Sequence, residues 1–242
     1  MKKSFLAICT VMALTSASIF ANVETDINYY VKPWNNFTTE LNDVKTEHSV
    51  PSMVGFENNW AFFFGNKKSI LDVGLGIGYG IDIFSNPTYK ISGQNAITQQ
   101  GIGLDYFFKI GPIFRLGLGR GISLSVTPGL VGNLNVLWPD LQSVIDNARN
   151  PSPSSTSELT FAANLAFFTE AAVKIWFFNS TSNGFHFGLN AGAQVEWPII
   201  GAYTTTGSGK WATIKDGFDV KFFAGLCFNF GSRGIDRYKE TE

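Results

Sequence analysis

In eight stretches of this chain the apolar residues keep one parity and the charged residues keep the other. The apolar parity is odd over 23–33, even over 54–64, odd over 71–83, even over 102–118, even over 122–138, odd over 159–177, odd over 185–199 and even over 218–230. No apolar-parity position carries a charge. The strand charges all sit on the alternate positions: Glu24, Asp26, Lys32, Glu57, Asp72, Asp82, Asp105, Lys109, Arg115, Glu170, Lys174, Glu196, Asp219 and Lys221. A period of two belongs to extended strands with two unlike faces, so the chain reads as all-β, with one face of every strand closed to charge.

The third stretch shows what the second face needs. "VGLGIGYGID" (73–82) places glycine at every second position, and a phosphate-cradling G-x-G-x-x-G would need a two-residue gap where Tyr79 instead keeps the period of two. The glycines therefore belong to a strand whose charged face is crowded.

Connections alternate in length. Short ones ("GNKKS", "GRG", "NSTSNG") follow the second, fourth and sixth segments, and long polar ones (about 35–52, 85–100, 139–158 and 200–216) follow the first, third, fifth and seventh. An even number of antiparallel strands joined in this way is an up-and-down meander, and closing it removes the unpaired edges. Both termini then lie at the short-turn end.

Either face of such a barrel could look inward. With the charged parity outside, a water-facing surface would expose Phe63, Phe107, Ile113, Val131, Phe168, Phe223 and the glycine row. Only 15% of the chain is charged, against about 25% in soluble domains, while aromatics reach 15% with 23 Phe. The charged parity is therefore expected in a narrow lumen and the apolar parity in lipid, giving a closed antiparallel up-and-down transmembrane β-barrel of eight strands. Strands of about 9–11 residues tilted by about 40° span an apolar band of about 25 Å, which the shorter segments just meet. Aromatics gather at both ends: Trp60, Phe62, Phe64, Phe177, Phe185, Phe228 and Phe230 near the short turns, and Phe84, Trp138, Trp197 and Trp211 near the long loops. Girdles at both interfaces are expected of a membrane barrel.

Residues 1–21 have the layout of a secretory signal peptide: two lysines, an apolar run too short to span a bilayer, then small residues ending at Ala21, with Ala17 the alternative cleavage point. Residues 22–230 form the barrel and 231–242 a periplasmic tail. The mature chain keeps one cysteine, Cys227, so no intramolecular disulfide forms. A net charge of −1 without a basic patch excludes nucleic acid as a partner.

With this layout the chain resembles the small bacterial outer-membrane barrels of the OmpA, OmpX and OmpW type over nearly all of its mature length. The last segment, "KFFAGLCFNF", is similar to their C-terminal assembly signal, with Gly225, Phe228 and Phe230 at the glycine and aromatic positions. Phe223 departs from it at a usually polar position, and twelve residues follow Phe230. The resemblance implies an outer-membrane protein, recognised by the insertion machinery, with long loops outside the cell and termini in the periplasm. OmpW-like barrels also imply lateral passage of small hydrophobic molecules.

Eight strands give an interior that side chains can fill, so a structural role or narrow passage of small solutes is expected of a monomer. Recognition of extracellular ligands by the long loops is the alternative, and a hydrolase at the outer rim the remote one. The lumen set Asp72, Asp82, Asp105, Lys109, Arg115, Glu170, Lys174, Glu196, Asp219 and Lys221 is expected to pair, Lys109 and Arg115 in buried ion pairs. His48 and His186 fall at opposite ends and share no site. His48 with a loop serine, or Glu47 with Asp43, reads as a solvated loop, and His186 with Cys227 supplies too few metal ligands. No catalytic residue, cofactor or metal is assigned. Pro112 and Pro128 lie eight residues either side of Arg120 and should face each other across a hairpin, where a bulge or small lateral gap is expected.

Overall fold

The computed structural model describes residues 22–64, 71–119, 121–138, 159–177, 185–205 and 209–230. Residues 1–21, expected as a signal peptide, 231–242, expected as a periplasmic tail, and the 139–158 connection lie outside them. The described chain forms strands β1 (Asn22–Leu41), β2 (Val44–Val50), β3 (Met53–Phe63), β4 (Leu71–Ser85), β5 (Thr88–Ile91), β6 (Ile97–Thr98), β7 (Ile102–Gly119), β8 (Ile122–Trp138), β9 (Thr160–Trp176), β10 (Phe185–Thr205) and β11 (Trp211–Phe230). Eight of them close a ring in the order β1-β3-β4-β7-β8-β9-β10-β11, sealed by an antiparallel β11–β1 pairing from Val23↔Phe230 to Glu40↔Thr213.

Three of the connections expected as polar loops continue the sheet. Residues 35–50 form a hairpin of β1 with β2, turned at Asn42 and Asp43, which both hold positive φ (50° and 63°) as a two-residue type I′ turn requires. β5 and β6 add to β2, and β10 and β11 stay paired out to Thr204↔Trp211. Pro51 separates β2 from β3 and Pro87 separates β4 from β5, each where the chain passes from barrel wall to outer extension. One side of the barrel therefore rises beyond the membrane as paired strands.

The apolar parity faces outward. Phe56, Tyr79, Phe108, Phe167 and Leu226 are among the exposed large side chains, a surface that only hydrocarbon covers at no cost. Asn58, an amide in this face, is satisfied locally: it donates to Thr25 Oγ1 and the Asp26 carbonyl, both at 3.2 Å, and accepts from Trp60 Nε1. The girdle at the short turns is formed by exposed Trp60, Phe64, Phe177, Phe185 and Phe230, with ring contacts Phe185–Phe230 and Phe187–Phe228 both at 5.5 Å. At the other end two assignments need correction. Phe84 has the inward parity and is buried with Val50, Met53 and Leu137. Trp211 stands at the outer tip of the β10–β11 hairpin, opposite Thr204 and well beyond the lipid-facing Phe218.

Inside, apolar and charged layers alternate. Trp176 and Cys227 lie toward the short turns, then Ala61, Phe63 and Ile113. Tyr30, Phe107, Val131, Ala166, Phe168, Ala172 and Phe223 form a middle layer, and the cluster around Phe84 and Met53 closes the top. The inward glycines make this filling feasible. A Cβ on Gly78 would lie 2.5 Å from the Lys109 Cε, and one on Gly80 2.5 Å from the Phe107 Cζ, so these positions hold space that larger lumen side chains occupy.

Proline shapes the ladder in two ways. Register shifts fall at Val31/Trp34 in β1 and at Pro198/Ile200 in β10, beside Pro33 and Pro198, where a missing donor is absorbed by a bulge. Pro112 and Pro128 do face one another: the pairs Ile110↔Leu130 and Phe114↔Val126 bracket them in unbroken register. No bulge forms there, in contrast to the expectation. The ladder is interrupted, yet the strands stay close, because Gly111 and Gly129 face each other on the lumen side and a Cβ on Gly111 would lie 2.1 Å from the Pro128 carbonyl oxygen. Two glycines let the backbones approach where two prolines remove the bonds.

Neighbouring glycines should respond differently to a methyl group. On Gly74 a Cβ would meet the Phe62 carbonyl oxygen at 2.4 Å, whereas on Gly76 the nearest atom is a side-chain methyl, Thr127 Cγ2, at 3.3 Å. Gly74→Ala should cost about 1–3 kcal/mol by overpacking against backbone, and Gly76→Ala less than about 0.5 kcal/mol. Urea unfolding of the two variants in lipid vesicles measures the difference.

Candidate functional site: the lumen network and the outer cups

All fourteen strand charges point into the barrel; twelve are buried, and Glu170 and Asp219 are half-buried. Each enters from a strand whose alternate residues lie in lipid, so the pleat alone aims it inward.

Near the short turns, Arg115 is held between two acids. Its Nη1 donates to Glu24, its Nη2 to Asp72 Oδ2 at 2.6 Å, and its guanidinium lies 4.0 Å from the Phe63 ring centre. Lys174 completes this group, with Glu24 at 2.9 Å and Asp26 at 2.8 Å. Two bases thus face three acids, with hydrogen bonds on both Glu24 oxygens.

Glu57 organises the middle. Its carboxylate accepts from Lys221 at 2.5 Å and Lys109 at 3.2 Å, and from the Asn28 and Asn59 amides at 3.0 and 2.9 Å. Lys109 also reaches Glu170 at 2.5 Å and Gln194 Oε1 at 3.0 Å, and Lys221 lies 4.8 Å from the Phe107 ring centre. Four donors on one buried carboxylate offset much of its desolvation. Toward the long loops, Lys32 bridges Asp82 at 3.1 Å and Asp105 at 3.0 Å, and Tyr30 OH donates to Asp82 at 2.8 Å. Glu196 accepts from amides, Gln194 at 2.5 Å and Asn133 at 3.2 Å. Asp219 sits opposite Glu196 in the β10–β11 register, and among the described residues no lysine or arginine forms an ion pair with either.

Sequence reasoning named the charges and passed over their neutral partners. Asn28, Asn59, Asn133, Gln194 and Tyr30 share the inward parity with them, and that parity was the available signal.

Above the lumen two cups open at the long-loop end. One, of about 610 Å³, is lined by Phe37, His48, Tyr89, Lys90 and Phe218 among others; the second, of about 720 Å³, by Thr39, His48, Tyr89, Thr160, Tyr203 and Lys210. His48 lies between them, stacked on Phe37 at 4.6 Å and tilted against Tyr203 at 4.7 Å, with Nε2 2.9 Å from Thr39 Oγ1. It is a buried ring bonded to a threonine, not the solvated loop residue the sequence implied, and its bonded neighbour is no carboxylate. Glu47 and Asp43 are exposed. His186 and Cys227 are both buried on adjacent strands, and among the described residues no group of three metal-ligating side chains converges. In the segment expected to carry the assembly signal, Gly225 faces the lumen side, where a Cβ would lie 2.0 Å from the Ile27 carbonyl oxygen, and Phe228 and Phe230 face outward.

No protein-family profile and no curated protein sequence matches the chain. Among solved structures it is similar to the outer membrane protein OprG from Pseudomonas aeruginosa, at 13% identity over 88% of this chain and 97% of that one, with a TM-score of 0.53. This is the fold of a small outer-membrane β-barrel. Matches with lower TM-scores include Neisserial surface protein A (12% identity, 86% and 96% of the two chains, 0.44) and the attachment invasion locus protein Ail of Yersinia pestis (13%, 87% and 99%, 0.43). At these identities the likeness concerns the fold alone.

Two outcomes follow from this geometry. Arg115→Ala removes the buried ion pairs to Glu24 and Asp72 and should cost about 3–5 kcal/mol, read as a lower urea midpoint in detergent. Burial lowers the His48 pKa to about 4 from 6.5. The unfolded chain then binds the proton first, so stability should fall as pH drops from 6.5 toward 4 and level off below. Imidazole proton shifts of the folded protein should show no His48 titration above about pH 5.

Proposed function

We propose that the protein is a monomeric barrel of the bacterial outer membrane, closed along its axis, that carries a rigid stranded platform on the outside of the cell. The long-loop end faces the exterior, both termini face the periplasm, and the insertion machinery reads Gly225, Phe228 and Phe230. The observation that carries this reading is the lumen. Charged layers cross-linked by ion pairs and amides alternate with layers of aromatic and aliphatic side chains from Trp176 to Phe84, so that side chains fill the axis. A structural role fits this packing better than solute passage, and it requires no catalytic residue.

Recognition of an extracellular ligand is the second reading. The two cups are walled by paired strands, and Phe37, His48, Tyr89 and Tyr203 give them aromatic sides.

Planar bilayers separate closure from passage. The refolded protein should give no sustained conductance steps at 1 M KCl, used here as an excess of carrier ions, whereas the double variant Phe107→Gly, Phe168→Gly, which removes two of the middle layer's three phenyl rings, should conduct. Regular steps from the unaltered protein would overturn the closed-axis reading.

A further inference from the structure

Two carboxylate pairs face each other across strands in the upper lumen, and among the described residues only one of them has a counter-ion. Asp82 pairs in register with Asp105 and Glu196 with Asp219. Like charges directly opposite on adjacent strands destabilise a sheet. Lys32 bridges the first pair. The second pair has amide donors on Glu196 only.

Beside it lies a void of about 10 Å³ lined by Asn35, Asp105, Asn133, Asn135, Asn164 and Asp219 together with apolar neighbours. Two oxygens belonging to these residues are buried without a hydrogen-bond partner: Asp105 Oδ1, whose Oδ2 is taken by Lys32, and Asn133 Oδ1. Asp105 is 1% and Asn133 6% exposed, so bulk water does not complete their bonding. An orphaned buried oxygen calls for a donor or a cation.

We infer that this void binds a calcium-class divalent cation held by Asp105, Asp219 and the surrounding asparagine carbonyls. The donors are all oxygen, which selects hard cations, and a mixed carboxylate–amide set of up to six suits calcium, which accepts irregular shells of six to eight oxygens; magnesium demands a near-ideal octahedron. The void is about the size of one water or ion. The cation would do for Glu196 and Asp219 what Lys32 does for Asp82 and Asp105. Phe37 lines both this void and the 610 Å³ cup, so the route in is from the long-loop end.

The test uses the full mature chain refolded in detergent and stripped with a chelator. Calorimetric titration with calcium chloride should show one site per chain with Kd in the range of about 10⁻⁴–10⁻³ M that extracellular calcium modules show, and weaker magnesium binding. Asp219→Asn should weaken it at least tenfold, and Glu196→Gln, whose side chain does not line the void, should weaken it less. The exposed-loop variant Asp43→Asn should bind as the parent does. Unfolding temperature gives a second readout. Calcium should raise it for the parent and not for Asp219→Asn, while in chelator Asp219→Asn should be at least as stable as the parent because the repulsion is gone. Absence of saturable calcium binding in the folded parent, or equal binding by Asp219→Asn, would overturn the site.

Discussion

Hydrocarbon offers no partner to a backbone amide, and that fact governs this molecule. A chain crossing the bilayer as strands must pair every strand on both sides, so the sheet closes on itself. Eight strands close to a bore only wide enough for side chains. From that width much of the interior follows: inward residues meet residues from other walls, and among the described residues all of the fourteen inward strand charges but Glu196 and Asp219 are drawn into ion pairs. Lys174 of β9 finds Glu24 and Asp26 of β1, and Lys221 of β11 finds Glu57 of β3.

Buried ion pairs are costly to assemble, because each charge gives up water before it gains a partner. The lumen limits that cost by sharing. Lys109 serves Glu57, Glu170 and Gln194 at once, and amides supply the donors that lysines do not. Aromatic rings lie between the charged layers and carry some of the load, with Lys32 and Lys221 both within about 6 Å of the Phe107 ring, close enough for cation–π attraction. An interior so cross-linked fixes the relative rotation of the strands, which the lipid side does not specify.

Parity made the membrane-spanning strands legible. β7, β8, β9 and the inner half of β11 run almost as the alternation marks them, because one face meets lipid and the other cannot. The outer extensions were illegible for the same reason. Residues 35–50 meet water on one face and an open cup on the other, so Thr38, Thr39, Thr46 and Glu47 show no hydropathic contrast, and the available signal for the hairpin was the Asn42-Asp43 turn. The bulge beside Pro33 also inverts the pattern: Lys32 points inward at an even number and Asn35 at an odd one. Inward placement of the charges could be read from a line of residues, but who meets whom depends on strand tilt and bore, which a linear pattern does not contain. The same limit left the solitary Glu196–Asp219 pair looking like any other pair of acids.

The closure of β1 on β11 joins the two ends of the described chain, with Val23 opposite Phe230. In polymer terms this is the largest loop the molecule can form, and its entropy is lost in one event. Every other ring pairing involves strands adjacent along the barrel meander and can form as a local hairpin. β1 must therefore wait, one edge unpaired and prone to mispairing, until the final strand arrives. The segment that carries Gly225, Phe228 and Phe230 is thus the kinetic latch of the barrel, and a chain truncated before it would keep two open edges however well its other strands had paired.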